Sequence, residues 1–324
     1  MFRNSKTLYA LTTCLIPPLH LFSTSAHNLS LSHRSAASIS TFITPKSISR
    51  STKRNQQPQR NMSTPSSSST EETPSAIDIA TNISEVQDRI AQTILENNRP
   101  EKSVRLVAVS KTKPISLLLN AYDSGQRYFG ENYAQELMSK AEEMPADIKW
   151  HFIGPLQSNK AAPLVKSLGL TKLACVETVH TMKLANKLNN AVNSLKEQEG
   201  GEDDDSKDSD KLGIYIQVNT SGEESKSGVT VGKECEDLVK EILNSCPHLR
   251  VDGLMTIGAP GDFSCFDSLA ECRKDAAEVL GVDVDSLELS MGMSGDYTEA
   301  IKRGATSVRV GSTIFGARDY SKKK

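Results

Sequence analysis

Eight short runs of β character recur through this chain from residue 104 onward, and a helix-length segment follows each of them. The runs lie near residues 104–110 (VRLVAVS), 127–130 (RYFG), 149–153 (KWHFI), 173–177 (LACVE), 213–218 (GIYIQV), 250–256 (RVDGLMT), 286–290 (SLELS) and 307–310 (SVRV). Helical spacing marks the stretches between them, for example 115–124, 133–143, 182–195, 233–244 and 266–280. Strand-then-helix units repeated eight times predict an α/β fold, a single (β/α)8 TIM-type barrel slightly below the usual size. A doubly wound open sheet is the alternative, but neither a G-x-G-x-x-G fingerprint nor a Walker A loop supports it. Ile79, Ile83, Val86, Ile90 and Ile94 add an amphipathic lead-in helix before the first strand.

Composition separates this body, residues 76–324, from a disordered targeting leader and linker over residues 1–75. The first 70 residues hold no Asp or Glu but eight Lys or Arg among many Ser and Thr. Such a composition predicts an organelle transit peptide, mitochondrial or else plastid, while translation from Met62 would leave a cytoplasmic protein. Removing those eight from 38 basic residues leaves 30 against 40 acidic ones, a charge of −10 over residues 71–324. No nucleic-acid partner is expected of such a body, nor a membrane, because the apolar stretch from Leu8 to Phe22 is short and broken by Pro17 and Pro18. The acidic stretch 197–211 (EQEGGEDDDSKDSDK) is expected to be a disordered insert on the barrel face opposite the strand carboxyl ends. Six cysteines show neither C-x-x-C pairs nor zinc spacing, so reduced thiols and no metal are expected.

Chemistry concentrates where strands end. The first strand runs into Lys111 and Lys113, in phase with each other, and a partly desolvated lysine there can attack an aldehyde. After the seventh strand come Ser290, Gly292, Met293, Ser294 and Gly295, and after the eighth come Gly311, Ser312 and Thr313. Barrels bind phosphate with these two loops, through backbone N–H groups that small residues leave approachable and through hydroxyl donors. Arg309 shares a face with Gly311 and points inward, where its charge needs a partner: a glutamate on another strand, or a ligand heteroatom at the mouth. A lysine, a phosphate cup and an inward arginine together describe a pyridoxal phosphate site.

With AVSKTKP, FGEN (129–132), HFIG (151–154), NTSGEESKSG (219–228), GLMTIG (253–258), SMGMS (290–294) and RVGSTIFGARDY (309–320), the chain closely resembles the pyridoxal phosphate homeostasis proteins. These are single-domain relatives of the alanine racemase barrel. The resemblance covers residues 77–321 and implies pyridoxal 5'-phosphate as cofactor, held as a Schiff base on Lys111. It further implies Arg309 at the pyridine nitrogen and Met293, Ser294, Gly311, Ser312 and Thr313 around the phosphate. Asn132 is expected beside the ring and Ser290 at the cofactor, with His151 a further candidate; for Ser290 and His151 the alternative is a satisfied residue of the barrel mouth. Trp150, by strand alternation, should point away from His151 into packing.

Two functions remain open at this stage. An arginine at the ring nitrogen weakens the electron sink, although the resembled racemases share it. Those racemases also carry a second, β-rich domain whose tyrosine serves as the opposing acid or base, and this chain is expected to have none. The expectation is a monomeric, non-catalytic carrier that delivers pyridoxal phosphate to apoenzymes, with weak racemase or lyase activity as the alternative.

Overall fold

The computed structural model describes residues 78–199 and 210–317. The lead-in helix α1 (Ile79–Glu96) opens on Asp78, whose carboxylate accepts from the Thr81 amide at 3.1 Å. Its five predicted apolar residues are all buried, each worth about 1.5–3 kcal/mol against solvent exposure. The barrel then alternates β1 (Arg105–Val109), α2 (Ile115–Asp123), β2 (Tyr128–Glu131), α3 (Ala134–Glu143), β3 (Lys149–Phe152), α4 (Ala161–Lys172), β4 (Leu173–Val179), α5 (Met182–Glu199) and β5 (Leu212–Asn219). It continues with α6 (Lys233–Ser245), β6 (Leu249–Met255), α7 (Ser264–Leu280), β7 (Glu288–Met293), α8 (Tyr297–Lys302), β8 (Ser307–Val310) and the single turn α9 (Ser312–Phe315). Every strand pairs in parallel with its neighbours, and the β1–β8 pairing, which sets Val107 opposite Arg309, closes the cylinder. The (β/α)8 barrel is therefore the fold.

Differences from the sequence reading sit at element edges. A 3-10 turn at Val284–Ser286 delays the seventh strand to Glu288. A two-residue strand, Val229–Thr230, pairs with the end of β5 and was not anticipated, being too short to carry a periodic signal. Helix α5 runs on through Glu199, so residues 197–199 of the expected disordered insert are helical. Lys, Glu and Gln are good helix formers, and Asn193 donates to the Glu197 carboxylate at 3.0 Å, one turn away. Residues 200–209 of that insert lie outside the described residues, as does the leader through residue 77.

Alternation along the strands assigns two environments. Leu106, Ala108, Phe129, Trp150 and Phe152 join the layer between strands and helices, with the Trp150 and Phe129 rings 5.7 Å apart. His151 faces the other way, into the barrel, where its Nδ1 lies 2.6 Å from Glu177 Oε1. The five described cysteines are all free and buried.

Candidate ligand site at the barrel mouth

The turn that follows β1 is held from below. Thr112 adopts a left-handed φ of 62°, a conformation that costs a β-branched residue energy unless its surroundings enforce it. They do. The Thr112 amide donates to Glu136 at 2.6 Å, and the Ser110 hydroxyl donates to Glu131 at 2.7 Å. The buried Lys140 ammonium binds both of those carboxylates at 2.7 Å and the Ser110 carbonyl at 2.8 Å. Burial raises the Glu131 pKa above its ordinary value, with Lys140 pulling against it. This clamp fixes the direction in which the chain leaves β1.

Lys111 and Lys113 both line a mouth cavity of about 390 Å³, yet their roles separate. Lys113 donates to three main-chain carbonyls, those of Phe315, Gly316 and Ala317, at 2.8, 2.9 and 2.9 Å. An ammonium so committed is turned toward α9. Lys111 continues the inward phase of Val107 and Val109 at the rim of the same cavity.

Across the cavity, the Gly311 and Thr313 amides converge on one oxygen, the Ser294 hydroxyl, at 3.1 and 3.5 Å. A Cβ on Gly311 would stand 3.2 Å from the Val109 carbonyl, so a larger residue would press β8 against β1 by a few tenths of an ångström. Ser312, Gly295 and Met293 complete this wall, although the Met293 amide already donates to Asp296 at 2.6 Å. Asn132 lines the side nearer β2, and its buried Oδ1 accepts no hydrogen bond. Gly154 explains the placement, since a Cβ there would meet the Asn132 carbonyl at 2.1 Å. Ile153, Met255 and Ile257 supply apolar lining.

Arg309 closes the floor at 5% exposure. Its guanidinium donates to the Ser290 hydroxyl at 2.6 Å and the Thr256 carbonyl at 2.7 Å, and it lies 3.8 Å from Glu177. Both of the readings considered for it thus coexist: it pairs with a glutamate on another strand and also faces the cavity. Burial pushes the Glu177 carboxyl up, but the His151 contact, the Arg309 charge and the Ser290 hydroxyl outweigh it and leave the pKa below its ordinary value.

Two expected site residues occupy other positions. Ser290 is fully buried beneath Arg309, donating to Glu177 at 2.5 Å, and does not line the cavity. Thr313 lines a neighbouring recess beside α1 rather than the cavity, and its amide is the group that donates to Ser294. His151, Cys175 and Glu177 bring three possible metal ligands within 4.8 Å of one another. Because the Arg309 guanidinium already lies beside that carboxylate, the cluster reads as a hydrogen-bonded network, with charge balance that needs no ion. The loop 219–228 folds on itself, Lys226 binding Glu223 at 2.6 Å and the Gly258 carbonyl at 2.9 Å, and contributes nothing to the cavity lining.

The cavity fits pyridoxal phosphate on its own terms. Its volume suits a small aromatic ligand, a lysine stands at one wall, and convergent N–H groups stand at another.

Comparison with known proteins matches the same span of the chain. The family model for the alanine racemase N-terminal domain matches residues 81–319. The pyridoxal phosphate homeostasis protein of Mus musculus is 44% identical over 251 residues, covering 74% of this chain and 86% of the relative. That of Pasteurella multocida is 39% identical over 255 residues, covering 75% and 99%. Among solved structures, PipY of Synechococcus elongatus with pyridoxal phosphate bound superimposes with a TM-score of 0.55 at 31% identity, covering 74% of this chain and all of PipY.

Proposed function

From the premise that this chain belongs to the pyridoxal phosphate homeostasis proteins of the alanine racemase N-terminal domain family, we propose that it binds pyridoxal 5'-phosphate and takes part in its homeostasis. The ligand is held as a Schiff base on Lys111 and delivered to apoenzymes. One observation carries the reading: Lys111, Arg309 and the amides that meet at Ser294 converge on a single mouth cavity. Bound there, the aldehyde of the ligand condenses with an amine and its ring can withdraw electrons. The residues of the chain do the rest. Gly311, Ser312, Thr313 and Ser294 would hold the phosphate, with Met293 beside them. Asn132 flanks the ring, and Arg309 faces its nitrogen as a donor that cannot give up its proton.

Among the described residues that line the cavity, only Lys111, Lys113 and Arg309 carry titratable side chains, and Lys113 is engaged by carbonyls. Racemisation needs proton-transfer groups on both faces of the reacting carbon. A lining of this kind supports retention and release over turnover, and a monomer carrying the ligand between enzymes uses the open mouth directly. The leader composition supports import into a mitochondrion or plastid from a Met1 start, with the Met62 product cytoplasmic.

Spectral titration with pyridoxal phosphate, borohydride reduction and peptide mapping test the assignment. The label is expected on Lys111 in the native chain and still on Lys111 in Lys113→Ala. The same preparation should load an apo-aminotransferase and show negligible turnover of alanine. A label confined to Lys113 overturns the residue assignment, and robust racemisation abolished by Lys111→Ala replaces the carrier with an enzyme.

A further inference from the structure

Between Asp147 and Glu197 this acidic body carries seven lysines, no arginine and a single carboxylate, Glu177. That one acid is fully buried inside the barrel. The surface formed by the β3–α4 loop, α4 and α5 as far as Lys196 is therefore basic in a body that is acidic elsewhere. Lys149, Lys172 and Lys196 are engaged locally. Lys160, Lys166, Lys183 and Lys187 are exposed and form no ion pair among the described residues. Two adjoining recesses, of about 240 and 610 Å³, run between α4 and α5 with Lys166, Lys183 and Lys187 along their walls and Gln157 and Asn159 at the mouth end.

We propose that the α4–α5 face of this barrel is a docking surface for an acidic segment of a partner protein. Four ammonium groups spread along helices that rise about 1.5 Å per residue span more than a single small anion can bridge, so the occupant carries several charges. Its class follows from what accompanies the lysines. None of the large exposed apolar side chains lies on this face, which leaves no wedge for a lipid surface. Its aromatic residues, Trp150 and Phe152, are buried, which leaves no platform for nucleobases. Lysines among amide and hydroxyl side chains suit carboxylates in a wet, salt-sensitive contact that forms and breaks quickly. Because the groove begins at the β3–α4 loop beside the cavity mouth, the partner is, on the carrier reading above, the recipient of the ligand.

The test uses the full chain and a fluorescent decaglutamate peptide as probe. Binding is expected at low salt and should weaken by about tenfold or more both in Lys160→Glu/Lys166→Glu/Lys183→Glu/Lys187→Glu and in the corresponding four-glutamine variant. Lys240→Glu on α6 should leave it unchanged, as should loading with pyridoxal phosphate, which also checks that the variants fold. Equal binding by native chain and variants, or none, overturns the proposal. So does preference for an oligonucleotide of equal charge or for phosphatidylserine vesicles. Tighter binding after replacement of residues 200–209 by Gly and Ser assigns the face to the chain's own acidic stretch, and salt-sensitive dimers in sedimentation assign it to a second copy; either result removes the partner. If the peptide binds but an apo-aminotransferase gains no ligand, the carrier reading fails while the docking surface stands.

Discussion

Two arginine–glutamate pairs that link strands of the barrel differ in depth. Near the amino ends of the strands, Arg105 meets Glu288 at 2.5 Å with the side chains 30% and 28% exposed, and the Tyr215 hydroxyl donates to the same carboxylate. Toward the mouth, Arg309 stands 3.8 Å from Glu177 with exposures of 5% and 0%. The more distant pair is the more consequential one. Deep in the barrel the carboxylate is shut off from water and the guanidinium nearly so, and each is satisfied by several partners: His151 and Ser290 for the carboxylate, Ser290 and the Thr256 carbonyl for the guanidinium. At the other end water shares the work, and a short distance signifies less.

Glu177→Ala tests this contrast most severely. Leaving Arg309 and His151 in the interior without their carboxylate should destabilise the barrel by about 3–5 kcal/mol in urea denaturation; a loss below about 1 kcal/mol, the size of a surface pair, would erase the distinction. Acid sharpens it. A carboxyl whose folded pKa is depressed contributes stability that is complete above its unfolded value, about 4.3 for glutamate, and is lost as pH falls through the folded one. The stability gap between the native chain and Glu177→Gln should accordingly be constant near neutrality and narrow below about pH 4. A gap that persists unchanged to pH 3 would show that the charge of Glu177 is not what matters. The smallest effect is expected from Glu288→Gln, about 1 kcal/mol or less and reduced by salt.

The same contrast explains what the sequence revealed. The barrel was legible because strand and helix periods repeat eight times, and the two ends of the site were legible because glycines, serines and lysines cluster after strands one, seven and eight. Lys111 and Lys113 could not be told apart by phase. Only the fold brings the carbonyls of Phe315 to Ala317 to the second of them. Ser290 was placed at the mouth because it shares a loop motif with Ser294, but the register shift between Ser290 and Met293 leaves it below Arg309. Glu177 went unnoticed, although a lone acid inside the apolar run LACVETV was a usable sign of an interior charge. Lys140 offered no such sign. On an amphipathic helix it resembles any solvated lysine, and its partners Ser110 and Glu131 lie on other elements.

Lys113 also bears on how the protein is made. Its ammonium is anchored about two hundred residues downstream, on the turn that ends α9. During synthesis the β1 turn leaves the ribosome early and waits while seven further strands emerge, so its final geometry belongs to the last stage of maturation. A nascent barrel that lacks α9 would present Lys111 on a turn still missing one of its anchors. The turn that carries Lys111 is thus complete only once the last helix of the barrel is in place.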